Sequence, residues 1–585
     1  MCTEAGRSKS GCWVTGFVLF ASFVAAPVVH AETWRFKEEF LPHLVKAVPT
    51  ILSQQDKKTG RFGKGIWIVT DQHAMYPLAT AWAMEHPENP HFHSQEVLEA
   101  VMAAGDALIE DADAKGQWEF RKKDGSTWGK IWMPWTYSRW VRAYTLIKDA
   151  MPNDRRERWE KALTLGYDGI AKHEMKTVHN IPTHHAMGLY IAGKALARTD
   201  WCEQASAFMK KAVAQQDPAG FWSENLGPVV QYDFVYVDAL GTYYALSGDQ
   251  TVLPALQKAA TFHANFTYPD GSDVETIDER NGYHQRVTMP NVGFTFSPEG
   301  RGYIRQQYAR RDEKTPLGAD LVASYLLYGE EGDAVPAPGS RESHQFVLGN
   351  NDAMVRRQGP WFACLSAYTA QVPRSRWIQD RQNFLSLYHD KAGVFLGGGN
   401  TKLQPLWSTF TVGDVSLLKH EPGDESPHFV PPKGIVHVPT SATLDPEAAS
   451  LILDYDGTAC AVQVDLSDPT SARITYVLAT RQTQPVEAHV TLLPRMNTPW
   501  KTESGRSGML GDEPITLAPG EAGKWIEHHG VRVSLPPQAS ITWPVLPHNP
   551  YRKDGRAGAS EGRIVITLPF SPDLLKHELT ITVVE

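Results

Sequence analysis

Asp217-Pro-Ala-Gly220-Phe-Trp222 is a turn signal that closes on two aromatic rings, and the chain repeats it. Asp56-Lys-Lys-Thr-Gly60-Arg-Phe62, Asp113-Ala-Lys-Gly116-Gln-Trp118 and Pro269-Asp270-Gly271 are similar punctuation. Their glycines are 56, 104 and 51 residues apart, and 104 is twice 52. The skipped slot is filled by His173-Glu-Met-Lys-Thr-Val-His-Asn180. Between the turns, residues 95–111, 155–171 and 203–216 carry apolar residues at i, i+3, i+4 and i+7, the mark of amphipathic helices. A period just above 50 residues suits one helix pair with its loops, so residues 35–330 predict stacked helical hairpins, either an open solenoid or a closed toroid. An aromatic-rich helix follows each turn: Tyr76 to Trp82, Trp135 to Tyr144, His184 to Leu196 and Tyr232 to Tyr244. In a toroid these form the inner ring, with their N-terminal ends at one rim.

After about residue 340 the period falls to two. Ala472–Ala479, Glu487–Leu493, Val531–Leu535, Arg563–Leu568 and Leu579–Val584 alternate, with turn residues between them. Spaced strands without helices predict antiparallel sheets stacked as a sandwich. The expected fold is multidomain, α then β: an incomplete α/α toroid over residues 32–335, then an antiparallel β-sandwich over 340–585. The Pro- and Gly-rich stretch Asp333–Ser340 is the linker.

The first 31 residues read as a signal peptide: Arg7 and Lys9, an apolar run from Trp13 to Val28, and the small-x-small site Val29-His30-Ala31. Export to the periplasm or beyond is therefore expected. No later segment is long and apolar enough to span a membrane. Removing Cys2 and Cys12 leaves Cys202, Cys364 and Cys460, which are no disulfide framework and no zinc spacing. The net charge of −9 becomes −10 without Glu4, Arg7 and Lys9. An acidic chain without a basic tract is a poor nucleic-acid binder, although basic groups gathered in a cleft still bind a polyanion. The 18 Trp and 20 Tyr suit an exported protein that stacks sugar rings.

Four constellations carry candidate chemistry. The first is His179-Asn180-Ile-Pro182-Thr-His184-His185. Pro182 suits the first helical position, which would put His184 and His185 in the first turn. There the helix dipole favours an anion and keeps a histidine neutral. The second is Trp222-Ser-Glu224-Asn225 with Tyr232 and Tyr236, four apart on one helix face. The third is the polar run Asp273–Arg286, which holds Arg280, Asn281, Tyr283, His284 and Arg286 one repeat later on the same rim. The fourth places Trp128, Trp132, Trp135 and Trp140 within 13 residues, as sugar platforms or as core. In the second half, Arg381-Gln382-Asn383 and Gly397-Gly-Gly-Asn400-Thr-Lys402 stand out, the glycine run as a tight turn reaching over the toroid rim.

These segments resemble the toroid-type polysaccharide lyases, the heparinase II/III-like, alginate and chondroitin AC-type families. Asn180 with His184 or His185 resembles their Asn and His at the start of an inner helix. Gly220 to Glu224 with Tyr232 resembles their Gly-x-Trp/Phe-x-Glu loop and following Tyr. Arg280, His284 or Arg286 would supply the later cation. The family's usual Glu-to-Tyr spacing is more compact, which leaves Tyr232 and Tyr236 both open.

The resemblance implies an acidic polysaccharide substrate cut by β-elimination, without a cofactor. Asn180, an imidazolium or an Arg would neutralise the uronate carboxylate. Tyr232, or a neutral His, would take the C5 proton. Trp132, Trp135, Trp140, Trp222, Glu224, Asn281 and Tyr283 would line the substrate. Two other classes fit the same residues: a toroid hydrolase pairing Glu224 with Asp233, Asp238 or Glu275, and a non-catalytic glycan binder. Zinc held by His179, His184 and His185 lacks familiar spacing.

Overall fold

The computed structural model describes residues 32–63, 71–122, 125–280, 287–419, 429–480 and 483–584. The expected signal peptide lies outside them. So do Asn281, Tyr283, His284 and Arg286 of the candidate site.

The described helices are α1 (Phe36–Ser53), α2 (Met75–Ala83), α3 (Gln95–Asp111), α4 (Pro134–Ile147), α5 (Asn153–His173), α6 (Asn180–Ala195), α7 (Thr199–Ala214), α8 (Val230–Ser247), α9 (Leu253–Asn265), α10 (Pro298–Arg310) and α11 (Ala319–Tyr328). Local signals set their ends. The Ser94 hydroxyl accepts the Val97 N–H at the start of α3. Gly248, at φ 67°, ends α8 in the left-handed conformation that glycine adopts without steric cost. The helices that follow the repeated turns pack in series, α2 on α4, α4 on α6 and α6 on α8, and α11 touches both α8 and α2. Among the described residues no helix is long and apolar enough to cross a membrane.

The chain then turns β-rich. Among the described residues, strand Ser343–Leu348 opens an 11-stranded sheet, and Ser441–Asp445 opens a 9-stranded one. Every pairing within them is antiparallel, and the long strand Thr458–Asp468 alternates buried and exposed residues over most of its length. One apolar core takes residues from both sheets, such as Leu387 and Val490 from one and Val462 and Ile474 from the other. The linker stretch is tied down: Gly332–Ala334 pairs with Glu32–Trp34. A second departure from a purely helical first half is the hairpin Trp118–Arg121/Thr127–Ile131. Of the three described cysteines, Cys364 and Cys460 are buried and Cys202 is partly exposed.

A further apolar cluster joins the two parts, with Phe221, Phe266 and Tyr268 from the helical side and Val355, Phe362 and Cys364 from the sheet side. Glu275 is buried among these groups at 5% exposure. Burial raises its carboxyl from 4.5 to about 7, aided by Asp270 and Asp273 and opposed by Arg563. The folded state therefore holds this proton more tightly than the unfolded chain. Stability is lost as pH rises from about 4.5 to about 7, by on the order of 3 kcal/mol once complete. Glu275→Gln is expected to raise the melting temperature at pH 8 and leave it unchanged at pH 4, as read by calorimetry across that range.

Candidate active site

Helices α6 and α8 pack together, with His184 of α6 beside Asp238 of α8. Helix α6 begins at Asn180 itself, earlier than Pro182 suggests. A proline three residues into a helix loses no bond, since the first four N–H groups lack partners within the helix. His184 and His185 consequently sit in the second turn. The anion at this helix start is the protein's own Glu224, whose carboxylate accepts the Asn180 N–H. Burial raises the Glu224 carboxyl, while His179, Arg280 and a hydrogen bond from Tyr236 oppose that rise. The Asn180 Oδ1 accepts the Ile181 N–H at 2.7 Å, and its amide N–H groups have no described partner.

The two tyrosines of α8 differ. Tyr236 is 2% exposed, its ring stacks on Trp222 at 5.2 Å and 4°, and its hydroxyl donates to Glu224 at 3.4 Å. Burial and the Glu224 carboxylate hold its phenol protonated. Tyr232 is half-buried, with the Arg280 guanidinium 4.6 Å from its ring centroid. Asn180, Glu224 and Tyr236 are thus joined by hydrogen bonds, and the Arg280 charge that sits over Tyr232 also acts on the Glu224 carboxyl.

The histidines are elsewhere. His184 is 2% exposed, its Nε2 meets the Ser138 hydroxyl at 2.9 Å, and its Nδ1 is 3.9 Å from Asp238. Burial, with Arg139 and Arg142 nearby, lowers its pKa far below 6.5, so the Asp238 contact is no ion pair. His185 is as buried, beside the Trp132 carbonyl, and burial lowers its pKa to about 3. Both are wall residues, since helical spacing turns them toward neighbouring helices. The polar wall around His184 also holds the Arg139–Asp320 pair and His73. Local sequence gives no signal for that wall, because its members come from separate repeats.

The tryptophans divide as well. Trp140 is 1% exposed against Trp118 and Trp159, so it packs the core and offers no sugar platform. Trp222 is buried too, donating its indole N–H to the Ala212 carbonyl at 2.7 Å and supporting Tyr236. Trp132 stacks on His173 at 5.4 Å, and Trp135 lies 6.1 Å from His184, both partly exposed. Truncating Trp140→Ala is expected to cost about 3–5 kcal/mol in a denaturant titration, as removal of a buried aromatic does. Sequence spacing alone missed a second aromatic group. Trp377 and Tyr551 from the sheet part meet at 6.1 Å, and the Lys122 ammonium lies 5.5 Å from the Trp377 ring and 5.8 Å from Trp128.

No family model and no curated protein matches the chain. Solved structures do. A Paenibacillus xanthan lyase is similar over 94% of this chain and 58% of its own, with TM-score 0.54 and 11% identity. The Streptomyces coelicolor chondroitin AC lyase, solved with chondroitin sulphate, is similar over 97% of this chain and 80% of its own, with TM-score 0.50 and 13% identity. Heparinase III is similar over 88% of this chain and 77% of its own, with TM-score 0.51 and 12% identity. The chain spans little more than half the length of the xanthan lyase. At such identities the likeness is one of fold: the chain shares the fold of these polysaccharide lyases, the group its motifs resemble.

Proposed function

We propose that this protein is an exported polysaccharide lyase that cleaves a 4-linked uronic-acid glycan by β-elimination, in the periplasm or outside the cell. In this reading residues 32–335 are the α/α toroid, residues 340–585 are the β-sandwich, and the substrate lies across the toroid rim. The observations that carry it are Glu224 joining the Asn180 N–H of α6 to the Tyr236 hydroxyl of α8, and the Arg280 guanidinium over the Tyr232 ring, in a fold whose solved neighbours are polysaccharide lyases.

The C5 proton of a uronate is barely acidic until its carboxylate charge is offset. The amide N–H groups of Asn180 and the guanidinium of Arg280 bind that carboxylate and stabilise the enolate-like intermediate. Tyr232 removes the C5 proton. The electron pair of the broken C–H bond forms the C4–C5 double bond, the C4–O bond breaks, and the leaving oxygen takes a proton from the same phenol. Tyr232 suits this role better than Tyr236, His184 or His185, which are each 2% exposed. His284 and Arg286, outside the described residues, are the sequence's candidates for a second cation.

A hydrolase reading finds less support, because the nearby Asp233 is buried and already bonded to Trp222 and His263. Mass spectrometry of the products tests the choice. Elimination yields fragments whose masses sum to that of the substrate, whereas hydrolysis adds one water. Products carrying that water would overturn the proposal.

A further inference from the structure

We infer that the sheet part sets the geometry of the candidate site through the short strap Ile277–Arg280, with Asn400 and Glu279 as positioning residues. Four successive carbonyl oxygens of the strap accept hydrogen bonds from the sheet part. Arg381 donates to Ile277, Asn400 to Asp278 at 3.3 Å, the Gln379 N–H to Glu279 at 2.9 Å and the Tyr551 hydroxyl to Arg280 at 3.5 Å. The strap's side chains bond toward α8. Asp278 accepts the N–H of Val230, the first residue of α8, at 3.0 Å, and the N–H of Arg280 at 2.7 Å. Glu279 accepts the Leu226 N–H at 2.7 Å and the Asn225 amide at 3.3 Å.

Asp278 and Glu279 are 2% and 0% exposed. Two adjacent buried carboxylates are costly unless hydrogen bonds and a counter-charge offset the desolvation. Here the bonds come from the loop that joins Glu224 to Tyr232, and the counter-charge for Glu279 is Arg381. Arg381 fits because residue 227 has no side chain: a Cβ on Gly227 would lie 2.8 Å from its Nη2. Asn400 is fixed in turn, its Oδ1 accepting the N–H groups of Gln382 and Asn383 at 3.0 and 2.9 Å. These are the two segments of the sheet part whose composition stood out, Arg381–Asn383 and Gly397–Lys402. Neither Glu279 nor Asn400 belongs to the group around Tyr232. Their effect passes through the placement of the first turn of α8 and of Arg280.

The kinetic part of this inference rests on the lyase reading; the structural part does not. The variants are Glu279→Gln, which keeps size, and Asn400→Ala, each compared with the wild-type full chain. Amide hydrogen exchange should rise in the peptide covering residues 223–232 and stay unchanged in α3 and the 9-stranded sheet. With a uronate glycan that the wild type cleaves, kcat should fall about 10–100-fold while KM moves little, the scale expected for small misplacements. Glu279→Gln combined with Tyr232→Phe should be no slower than Tyr232→Phe alone, because both act on one group. A merely unfolded fraction would multiply the two losses. If Asn400→Ala does not fold, Glu279→Gln alone decides. Unchanged exchange over 223–232, full kcat despite faster exchange, or multiplied losses would each overturn the inference. A wild type inactive on every uronate would instead sink the lyase reading, with the exchange result still deciding whether the strap holds the loop.

Discussion

Tyr232→Phe is expected to lower kcat by about 10²–10⁴-fold, the usual contribution of a proton-transfer group. The change removes one oxygen. The ring stays beneath the Arg280 guanidinium, so packing and the cation–ring contact persist. The phenol oxygen bonds no described residue, so the melting temperature should be nearly unchanged. Substrate affinity, read by calorimetric titration, should also change little, because the hydroxyl acts on the transition state and adds little to ground-state binding. Tyr236→Phe is the comparison. That hydroxyl lies 3.4 Å from Glu224 in a buried stack, and its loss should cost less than about 10-fold. If Tyr236→Phe is the inactive variant and Tyr232→Phe is not, the reaction stands and the base is reassigned. If both keep full activity, the base is a histidine or the lyase reading is wrong.

Asn180→Ala carries the second large effect, an expected loss of about 10²–10³-fold in kcat, as for a donor aimed at charge that develops in the transition state. Two roles of this side chain need separating. Its Oδ1 accepts the Ile181 N–H, so alanine should also destabilise the start of α6 by about 1 kcal/mol. Asn180→Asp keeps that oxygen and replaces the amide donor by an acceptor that repels a uronate carboxylate. The account predicts that Asn180→Asp melts close to the wild type and is as inactive as Asn180→Ala. Recovery of activity with aspartate would reduce Asn180 to a structural residue at the start of α6.

The helical hairpins were legible because apolar spacing at 3.6 residues and repeated acid–glycine turns are local signals. The predicted helix at 95–111 coincides with α3, and the expected helix from His184 to Leu196 lies largely within α6. Helix α6 starts two residues before Pro182, because a proline fits anywhere in a first turn. The tryptophan cluster could not be sorted by spacing alone. Trp135 and Trp140 lie five residues apart on α4, so helical geometry turns one toward His184 and the other into the core. The strap was invisible for a different reason. Its bonds join residues such as Asp278 and Asn400, 122 positions apart, and neither residue type announces a distant partner. Glu224 stands out in the sequence as a loop residue before the tyrosines, but its place at the first N–H of α6 depends on two repeats coming together.

β-Elimination is followed by ultraviolet absorbance while the purified chain is mixed with a panel of 4-linked uronate glycans, with neutral glycans and the Tyr232→Phe variant as controls. Elimination creates a C4–C5 double bond conjugated with the carboxylate, which absorbs where the substrate does not. A lyase gives a steady rise with at least one uronate glycan, none with neutral glycans, and a rate reduced by about 10²–10⁴-fold in the variant. New reducing ends released from a uronate glycan without that absorbance would contradict the lyase reading.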